Sequence, residues 1–238
     1  AIAVVTHNIE EAVLLSDRVL VFGSNPGHVA AEIRIELPHP RNRLDPAFRQ
    51  IVEDLYSTMT ERAGGKASQG HFFGTGLAML LPRVSPNMIA GLLEAVAADP
   101  HQGHAGLPEL AGDLHMEVDD LFPVAEVLQL LRFAELGDGD IKLTEPGRQF
   151  VGFEPDARKK LFAQQLLNYV PLAGHIRRVL DERGTHRAPA SRFRDELEDH
   201  MSESFAEQTM RTVTSWGRFG EVFAYDEVSG IFSLDNPG

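Results

Sequence analysis

The chain has 238 residues, of which 43% are hydrophobic, contains no cysteine and carries a formal net charge of −13. This length and apolar content allow one or two domains with buried cores, and the lack of cysteine excludes disulfides, thiolate metal sites and cysteine nucleophiles. The acidic excess opposes nonspecific binding to nucleic acid or anionic lipid, and no apolar run approaches the roughly 20 residues of a membrane-spanning helix.

The first element is an apolar run from Ile2 to Val5, rich in β-branched residues. This pattern predicts a strand of a parallel sheet that is covered by helices on both faces. Asn8 followed by Glu11 predicts a capping box that opens a helix. His7 would then lie at the carboxyl end of a buried strand, where open α/β sheets bind ligands.

Two strands, a helix and a linker are predicted next. Val19 to Phe22 and Val29 to Leu37 flank a turn-rich segment and predict a hairpin, and Asp45-Pro46 opens a helix that runs to about Arg62. The glycine-rich segment that follows predicts a domain boundary, with residues 1–62 before it, 63–80 as the linker and 81–238 after it. Residues 1–65 contain 6 basic and 9 acidic side chains, so most of the net charge lies beyond them.

The second part of the chain is predicted to be mainly helical. Helices from Ser85 to about Ala98, from Leu107 to His115 and from Asp119 to Leu136 precede a hairpin of Ile141–Leu143 with Gln149–Phe153. Three helices followed by a hairpin, the order of elements in a winged helix, are thus predicted over about residues 85–153. A long helix over 155–183 and a second, shorter winged-helix-like unit over about 189–235 are expected to follow.

Four stretches near the start of the chain match a known family. They are Val4 to Ala12, Ser16 to Phe22, Pro26-Gly27 and Pro38-His39-Pro40-Arg41. In this order they resemble the C-terminal part of the ATP-binding subunit of an ABC transporter of the nitrate/sulfonate/taurine importer type. The resemblance implies the end of a P-loop NTPase-type nucleotide-binding domain, an α/β fragment, followed by a mainly α winged-helix-like domain.

The resemblance also implies a role for His7. Thr6-His7 would be the switch loop, in which His7 contacts the γ-phosphate of ATP and helps to orient the attacking water. Members of the family more often have Asp after this His, whereas this chain has Asn8, which keeps the helix cap but removes a negative charge. The implied cofactors are ATP and Mg, with no Mg ligand in this part of the sequence. The implied partners are a membrane subunit and a second ATPase subunit at the cytoplasmic face of a membrane.

The rest of the chain, from Leu81 to about Leu234, is similar to the C-terminal AAA-associated domain that follows some of these ATPases. Four stretches support this similarity: Ala90–Glu94, Asp119–Pro123, Ile141–Thr144 and Ser215–Phe219. Together the two resemblances cover nearly the whole chain.

A phosphate-binding loop is absent from the 238 residues. The only approach to one, Gly64-Gly65-Lys66-Ala67, lacks both the spacing and the hydroxyl of Gly-x-x-x-x-Gly-Lys-Ser/Thr. We therefore expect that the sequence is a fragment cut within the sheet of the nucleotide-binding domain and that it does not hydrolyse ATP alone. We also expect residues 1–62 to expose apolar surface and unpaired strand edges.

Several functions compete for the acidic second part. A winged helix suggests a DNA-binding transcriptional regulator, but the third helix of the first unit and the segments beside it contain five carboxylates and one arginine. These residues are Glu117, Asp119, Asp120, Glu126, Glu135 and Arg132. Protein interaction or regulation is therefore favoured over DNA binding, a purely structural extension and a module that senses a small anion.

Other conspicuous residues receive structural interpretations. His101, His104 and His115 do not predict a metal site, because two of them lie in a Gly/Pro-bounded loop and the chain offers no thiolate. Asp17 is interpreted as a carboxylate at a helix end or turn. Trp216 is predicted to be a core residue rather than a ligand platform.

Overall fold

The computed structural model describes residues 3–6, 9–23, 28–42, 45, 47–48, 50–52, 54–55, 58, 76–137 and 139–234. The helices are α1 Ile9–Leu15, α2 Pro86–Ala97, α3 Leu107–Asp113, α4 Val118–Leu130, α5 Glu145–Gly152, α6 Pro155–Tyr169, α7 Pro171–Glu182, α8 Ala190–Glu198 and α9 Glu203–Phe219. The strands are β1 Arg18–Gly23, β2 His28–Arg34, β3 His104–Gly106, β4 Ala134–Gly137, β5 Asp140–Leu143, β6 Arg187–Pro189, β7 Ala224–Asp226 and β8 Ile231–Ser233. Among the described helices, none combines the length and the apolar character that crossing a bilayer requires.

The N-terminal part contains the predicted hairpin but not the predicted first strand. β1 and β2 pair antiparallel, with a register shift between Val21 and Phe22. The described residues 3–6 form no strand, and Val4 and Val5 are 58% and 99% exposed. The prediction of a buried strand at Ile2 to Val5 is therefore wrong for these residues, because a parallel strand needs a neighbour and the β1–β2 hairpin does not pair with them.

Apolar side chains of the N-terminal part divide between a small core and an exposed set. Ile9, Val13, Phe48, Val52 and Leu55 are buried. The helix predicted from Asp45-Pro46 is present at residues 47–48, 50–52, 54–55 and 58, while Pro46 lies outside the described residues. Leu15, Leu20, Phe22 and Val29 are exposed, as expected for residues 1–62.

The first unit of the second part consists of α2, β3, α3, α4, β4 and β5. Its sheet is antiparallel with the strand order β3-β5-β4. Ser85 is the predicted N-cap of α2, and its side chain accepts a hydrogen bond from the N–H of Met88. The predicted third helix is shorter than expected, since α4 ends at Leu130 and β4 begins at Ala134.

The predicted partner strand of the first hairpin is wrong. Residues 149–153 are not a strand, because α5 occupies Glu145–Gly152, and β5 pairs with β3 and β4 instead. Thr144 caps α5 by accepting a hydrogen bond from the N–H of Gly147, and Pro146 lies in its first turn. A hydroxyl cap followed by proline favours the start of a helix over a strand.

The long helix predicted over 155–183 is two helices. α6 ends at Tyr169 and α7 begins at Pro171, with Val170 between them in an extended conformation. Proline lacks the N–H that a continuous helix needs and disfavours a helical conformation in the residue before it. Pro171 therefore starts α7 rather than continuing α6.

The second unit consists of α7, β6, α8, α9, β7 and β8. Its sheet is antiparallel with the order β6-β8-β7, so the two units share one element order and one sheet order. The helices and hairpin predicted between 191 and 234 are present as α8, α9, β7 and β8. The first helix of the unit, α7, lies upstream of the predicted start near residue 189.

A short segment before the first unit packs on the last helix of the second. We call residues 81–84 the strap. The indole Nε1 of Trp216 donates to the carbonyl of Val84 at 2.7 Å, Thr212 Oγ1 donates to Pro82 at 3.0 Å and Gln208 Nε2 donates to Leu81 at 3.0 Å. Trp216 is fully buried, which confirms its assignment to the core.

Candidate functional site

The predicted site residue, His7, and its neighbour Asn8 lie outside the described residues. The residues on each side of them are described. Thr6 Oγ1 donates a hydrogen bond to Glu11 Oε2 at 2.7 Å, so the first turn of α1 is tied to the residue that precedes His7. The predicted capping box remains a prediction, because its Asn8 partner is one of the two residues outside the description.

The N-terminus of α1 is capped by a residue from the second part of the chain. The backbone N–H of Ile9 lies 3.0 and 3.2 Å from the two carboxylate oxygens of Asp119. A carboxylate at this position satisfies a helix N–H and complements the positive end of the helix dipole. α4, which contains Asp119, therefore contacts the helix that follows Thr6-His7.

The C-terminal end of α1 is held by Arg41, whose side chain is only 1% exposed. Its guanidinium donates to the carbonyls of Val13 at 2.7 Å and Ser16 at 2.6 Å. Further bonds reach Leu37 at 3.0 Å and Ile35 at 3.3 Å. Arg41 thus joins the end of α1 to the chain that leaves β2, using the several donors of a planar guanidinium.

Sequence reasoning missed the role of Arg41. Its only signal in the sequence is its place at the end of the segment Pro38 to Arg41, and no local pattern indicates which carbonyls an arginine will reach. Asp17 is 89% exposed, with Oδ1 3.4 Å from His39 Nε2 and 3.6 Å from Arg41 Nη2. It lies between α1 and β1, as its interpretation as a helix-end carboxylate requires.

Two of the three histidines that raised the question of a metal site have separate carboxylate partners. His101 Nε2 lies 3.1 Å from Asp113 Oδ2, and His104 Nε2 lies 2.8 Å from Asp140 Oδ2. In the described ranges, no three side chains of His, Asp or Glu are grouped as a metal site would require. These pairs connect loops and strands of the first unit.

One acidic residue of α4, Glu126, is only partly exposed. Burial raises the pKa of Glu126 to about 7, because removing a carboxylate from water disfavours its charged form. Glu126 is seven residues after Asp119, and this spacing places both on the same face of α4. Glu126 therefore contributes less negative charge near pH 7 than a carboxylate with an ordinary pKa does.

The comparisons with known proteins concern two different parts of the chain. The family model of the C-terminal AAA-associated domain matches residues 108–226, half of the chain. This match runs from α3 to β7, inside the range that the sequence indicated. No solved structure matches the chain.

The N-terminal part is similar to ATP-binding proteins of importers. The aliphatic sulfonates import ATP-binding protein SsuB 1 of Xanthomonas axonopodis pv. citri is 48% identical over 61 residues, 25% of this chain and 24% of that protein. SsuB 2 of Nocardia farcinica is 52% identical over 59 residues, 25% of this chain and 24% of that protein. SsuB 2 of Burkholderia cenocepacia is 41% identical over 68 residues, 27% of this chain and 25% of that protein. The chain thus spans about a quarter of the length of the curated relatives it matches.

Proposed function

The chain belongs to the family of the C-terminal AAA-associated domain, and we propose that it is the C-terminal portion of the ATP-binding subunit of an ABC importer. The observation that carries this proposal is the 48% identity of 61 residues to an aliphatic sulfonates import ATP-binding protein. Nitrate-, sulfonate- or taurine-like anions are the proposed solutes. ATP and Mg are the proposed cofactors of the complete subunit, with the Mg ligands outside these 238 residues.

In this proposal, His7 is the residue that acts on ATP. An imidazole N–H at this position would donate a hydrogen bond to the γ-phosphate, whose charge is redistributed in the transition state of phosphoryl transfer. The bonds of Thr6, Asp119 and Arg41 to the first turn and the last turn of α1 support the proposal, because they fix the helix that His7 precedes.

Hydrolysis by the complete subunit tests this role. With the upstream nucleotide-binding sequence present, we expect His7→Ala to lower kcat for ATP by at least about 100-fold, the usual loss when a transition-state hydrogen bond is removed. His39→Ala is the matched control, since His39 is a half-exposed histidine of the same region. Equal rates for the wild type and His7→Ala would refute the role of His7, while absence of ATPase activity in the wild type would refute the proposed function as a whole. We also propose that the 238-residue chain alone does not hydrolyse ATP, because its sequence has no phosphate-binding loop.

The second part is proposed to be a regulatory or protein-interaction domain made of two winged-helix-like units. The shared order of three helices and a hairpin supports the winged-helix comparison. The third helix of the first unit, α4, contains no Lys or Arg and begins with Asp119 and Asp120. In a DNA-binding winged helix, the third helix enters the major groove between phosphates, so these carboxylates favour a protein partner.

A gel-shift series at low salt separates this proposal from the alternative of a DNA-binding transcriptional regulator. We expect no shift of duplex DNA at micromolar protein. Tight binding with a steep dependence on salt concentration would favour the regulator, since salt dependence reports the number of phosphates contacted. Partners consistent with the importer are the membrane subunit and a second ATPase subunit, which would hold the protein at the cytoplasmic face of the membrane.

A further inference from the structure

The second unit contains a concave site of about 610 Å³ between α8, α9 and the hairpin strand β7. Cavities of small-molecule sites typically measure about 300–1,000 Å³, so the volume suits a small organic ligand. Its lining combines charged, hydroxyl and apolar side chains: Ser191, Arg194, Glu207, Met210, Arg211, Thr214, Ser215, Arg218, Tyr225 and Glu227, with Ala190 at one end.

α9 contributes most of this lining because its two faces differ. Ala206, Val213 and Trp216 point into the core, at the spacing of one helical stripe. Met210, which is 8% exposed, lies at the border between this core and the site. The opposite stripe, with Glu207, Arg211, Ser215 and Arg218, is exposed. The site is therefore built on a helix whose position is fixed by its buried face.

Three guanidinium groups surround the site in a chain whose net charge is −13. Arg211 is paired with Glu207, and Arg218 Nη1 lies 3.0 Å from Glu227 Oε1. Arg194 Nε lies 3.8 Å from Glu198 Oε1, too far for a hydrogen bond. All six side chains are between 38% and 77% exposed, and such exposed ion pairs are weak.

These arginines are therefore able to change partners. A guanidinium has five N–H donors, of which the bond to one glutamate oxygen engages one. An incoming carboxylate, sulfonate or phosphate group accepts two parallel N–H bonds, a geometry that a guanidinium matches better than an ammonium does. Met210 and Tyr225 provide an apolar surface beside the cationic groups.

We propose that this site binds a small organic anion, with its anionic head group between Arg211 and Arg218 and a short apolar body against Met210 and Tyr225. A compact anion fits better than nucleic acid, because Glu207 and Glu227 interrupt the positive surface and would repel a continuous row of phosphates. The proposal goes beyond the function proposed above and is independent of it, since the site lies within residues 190–227 of this chain.

The first unit shows that the shared element order alone does not create such a site. Its corresponding helices, α3 and α4, contain no Lys or Arg. α4 is buried on nearly all sides, through Leu121, Phe122, Val124, Ala125, Val127, Leu128 and Leu130. The cationic groove is thus a property of the side chains of the second unit.

Calorimetric titration of the 238-residue chain tests the proposal with three matched anions, hexanesulfonate, hexanoate and hexyl phosphate, and with neutral 1-hexanol. We expect saturable binding of at least one anion below about 1 mM, none of the alcohol, and a ranking of the three head groups that identifies the preferred chemistry. The double variant Arg211→Gln, Arg218→Gln is expected to bind at least about tenfold more weakly. Arg192→Gln is the matched control, because Arg192 forms an exposed pair with Glu196 on α8 but does not line the site.

A variant that is expected to strengthen anion binding distinguishes an effect on the ligand from general damage to the fold. Glu207→Gln removes a carboxylate that competes for Arg211, so it is expected to tighten anion binding severalfold. The proposal is overturned if no anion binds up to about 10 mM, if Arg192→Gln weakens binding as much as the double variant, or if Glu207→Gln weakens it. It is also overturned if duplex DNA displaces the anion from the wild type but not from the double variant, because the arginines would then serve a polyanion.

Discussion

The two units of the second part have the same order of helices and strands but different surfaces and interiors. Residues 86–143 contain 2 basic and 11 acidic side chains, whereas residues 171–234 contain 8 basic and 11 acidic ones. On α4, Glu126 is partly buried and the pKa of its carboxyl is raised, while α9 keeps its charged stripe exposed around a cavity. The comparison teaches that the element order sets where a groove can form and that side-chain chemistry decides whether it forms.

The largest expected effects concern two helical glycines that leave no room for a side chain. A Cβ at Gly147 would lie 2.1 Å from the carbonyl oxygen of Phe133, and one at Gly217 would lie 2.2 Å from the ring of Phe223. A backbone carbonyl yields less readily than a ring, so we expect Gly147→Ala to lower the free energy of unfolding by about 3–4 kcal/mol and Gly217→Ala by about 2–3 kcal/mol. Urea unfolding measures both.

Gly91→Ala is the control for these two substitutions. Gly91 lies in α2, and the position that a methyl group would take there has no neighbouring atom within 4 Å. Alanine should therefore raise the free energy of unfolding by about 0.5–1 kcal/mol through its higher helix propensity. If Gly147→Ala is as stable as the wild type, the contact between α5 and Phe133 is wrong.

The second prediction concerns the partly buried carboxyl of Glu126 in α4. Because the pKa of Glu126 is raised from 4.5 to about 7 in the folded chain, the native state binds an extra proton between these values. Its contribution to stability is fully present below about pH 4.5 and is lost as the pH rises through about 7. We expect Glu126→Gln to raise the free energy of unfolding at pH 8 by up to about 3 kcal/mol and to have little effect at pH 4.5.

Unfolding at the two pH values provides the measurement, with Glu135→Gln as the control. Glu135 is an exposed residue of β4 in the same unit, so its substitution should change stability by less than about 0.5 kcal/mol at either pH. A similar gain for both variants at pH 8 would attribute the effect to net charge rather than to burial.

The smallest expected effect is local to the hairpin of the second unit. Hydrogen bonds from Val228 and Ser229 lower the pKa of the exposed Asp226 carboxyl. These bonds therefore stabilise the turn at pH values above the ordinary titration range of an aspartate, and this stabilisation is lost as the pH falls through the lowered pKa. Asp226→Ala should accelerate hydrogen exchange of the Val228 amide at neutral pH without changing global unfolding. Ser229→Ala, which retains the backbone N–H, should leave that amide more protected than Asp226→Ala does.

Features governed by local chemistry were predictable from the sequence. Ser85 as a helix cap, the β1–β2 hairpin and the burial of Trp216 follow from capping, turn residues and helical periodicity. Polar and apolar residues in Gln149–Phe153 suggested a strand. The helix that contains most of this segment begins before it, because Thr144 caps the helix and Pro146 lies in its first turn. Hydrophobic periodicity alone predicted one continuous helix, whereas Pro171 begins a second helix in the structure.

The candidate sites depended on contacts between distant residues, which the sequence did not reveal. Asp119 caps a helix 110 residues away, and Arg41 bonds to carbonyls on two segments, the end of α1 and the chain after β2. The groove on α9 depends on the positions of α8 and β7, which the sequence alone does not give. The role of His7 stays a prediction that rests on the resemblance.

The strap limits where the chain can be cut without loss of stability. Its carbonyls accept hydrogen bonds from Gln208, Thr212 and Trp216, so the residues that precede the first unit complete the second. Cutting between the units in sequence would leave the indole N–H of Trp216 buried without its acceptor, at a cost of about 1–3 kcal/mol. A piece that contains the second unit and keeps these bonds therefore begins no later than Leu81 and includes the first unit as well.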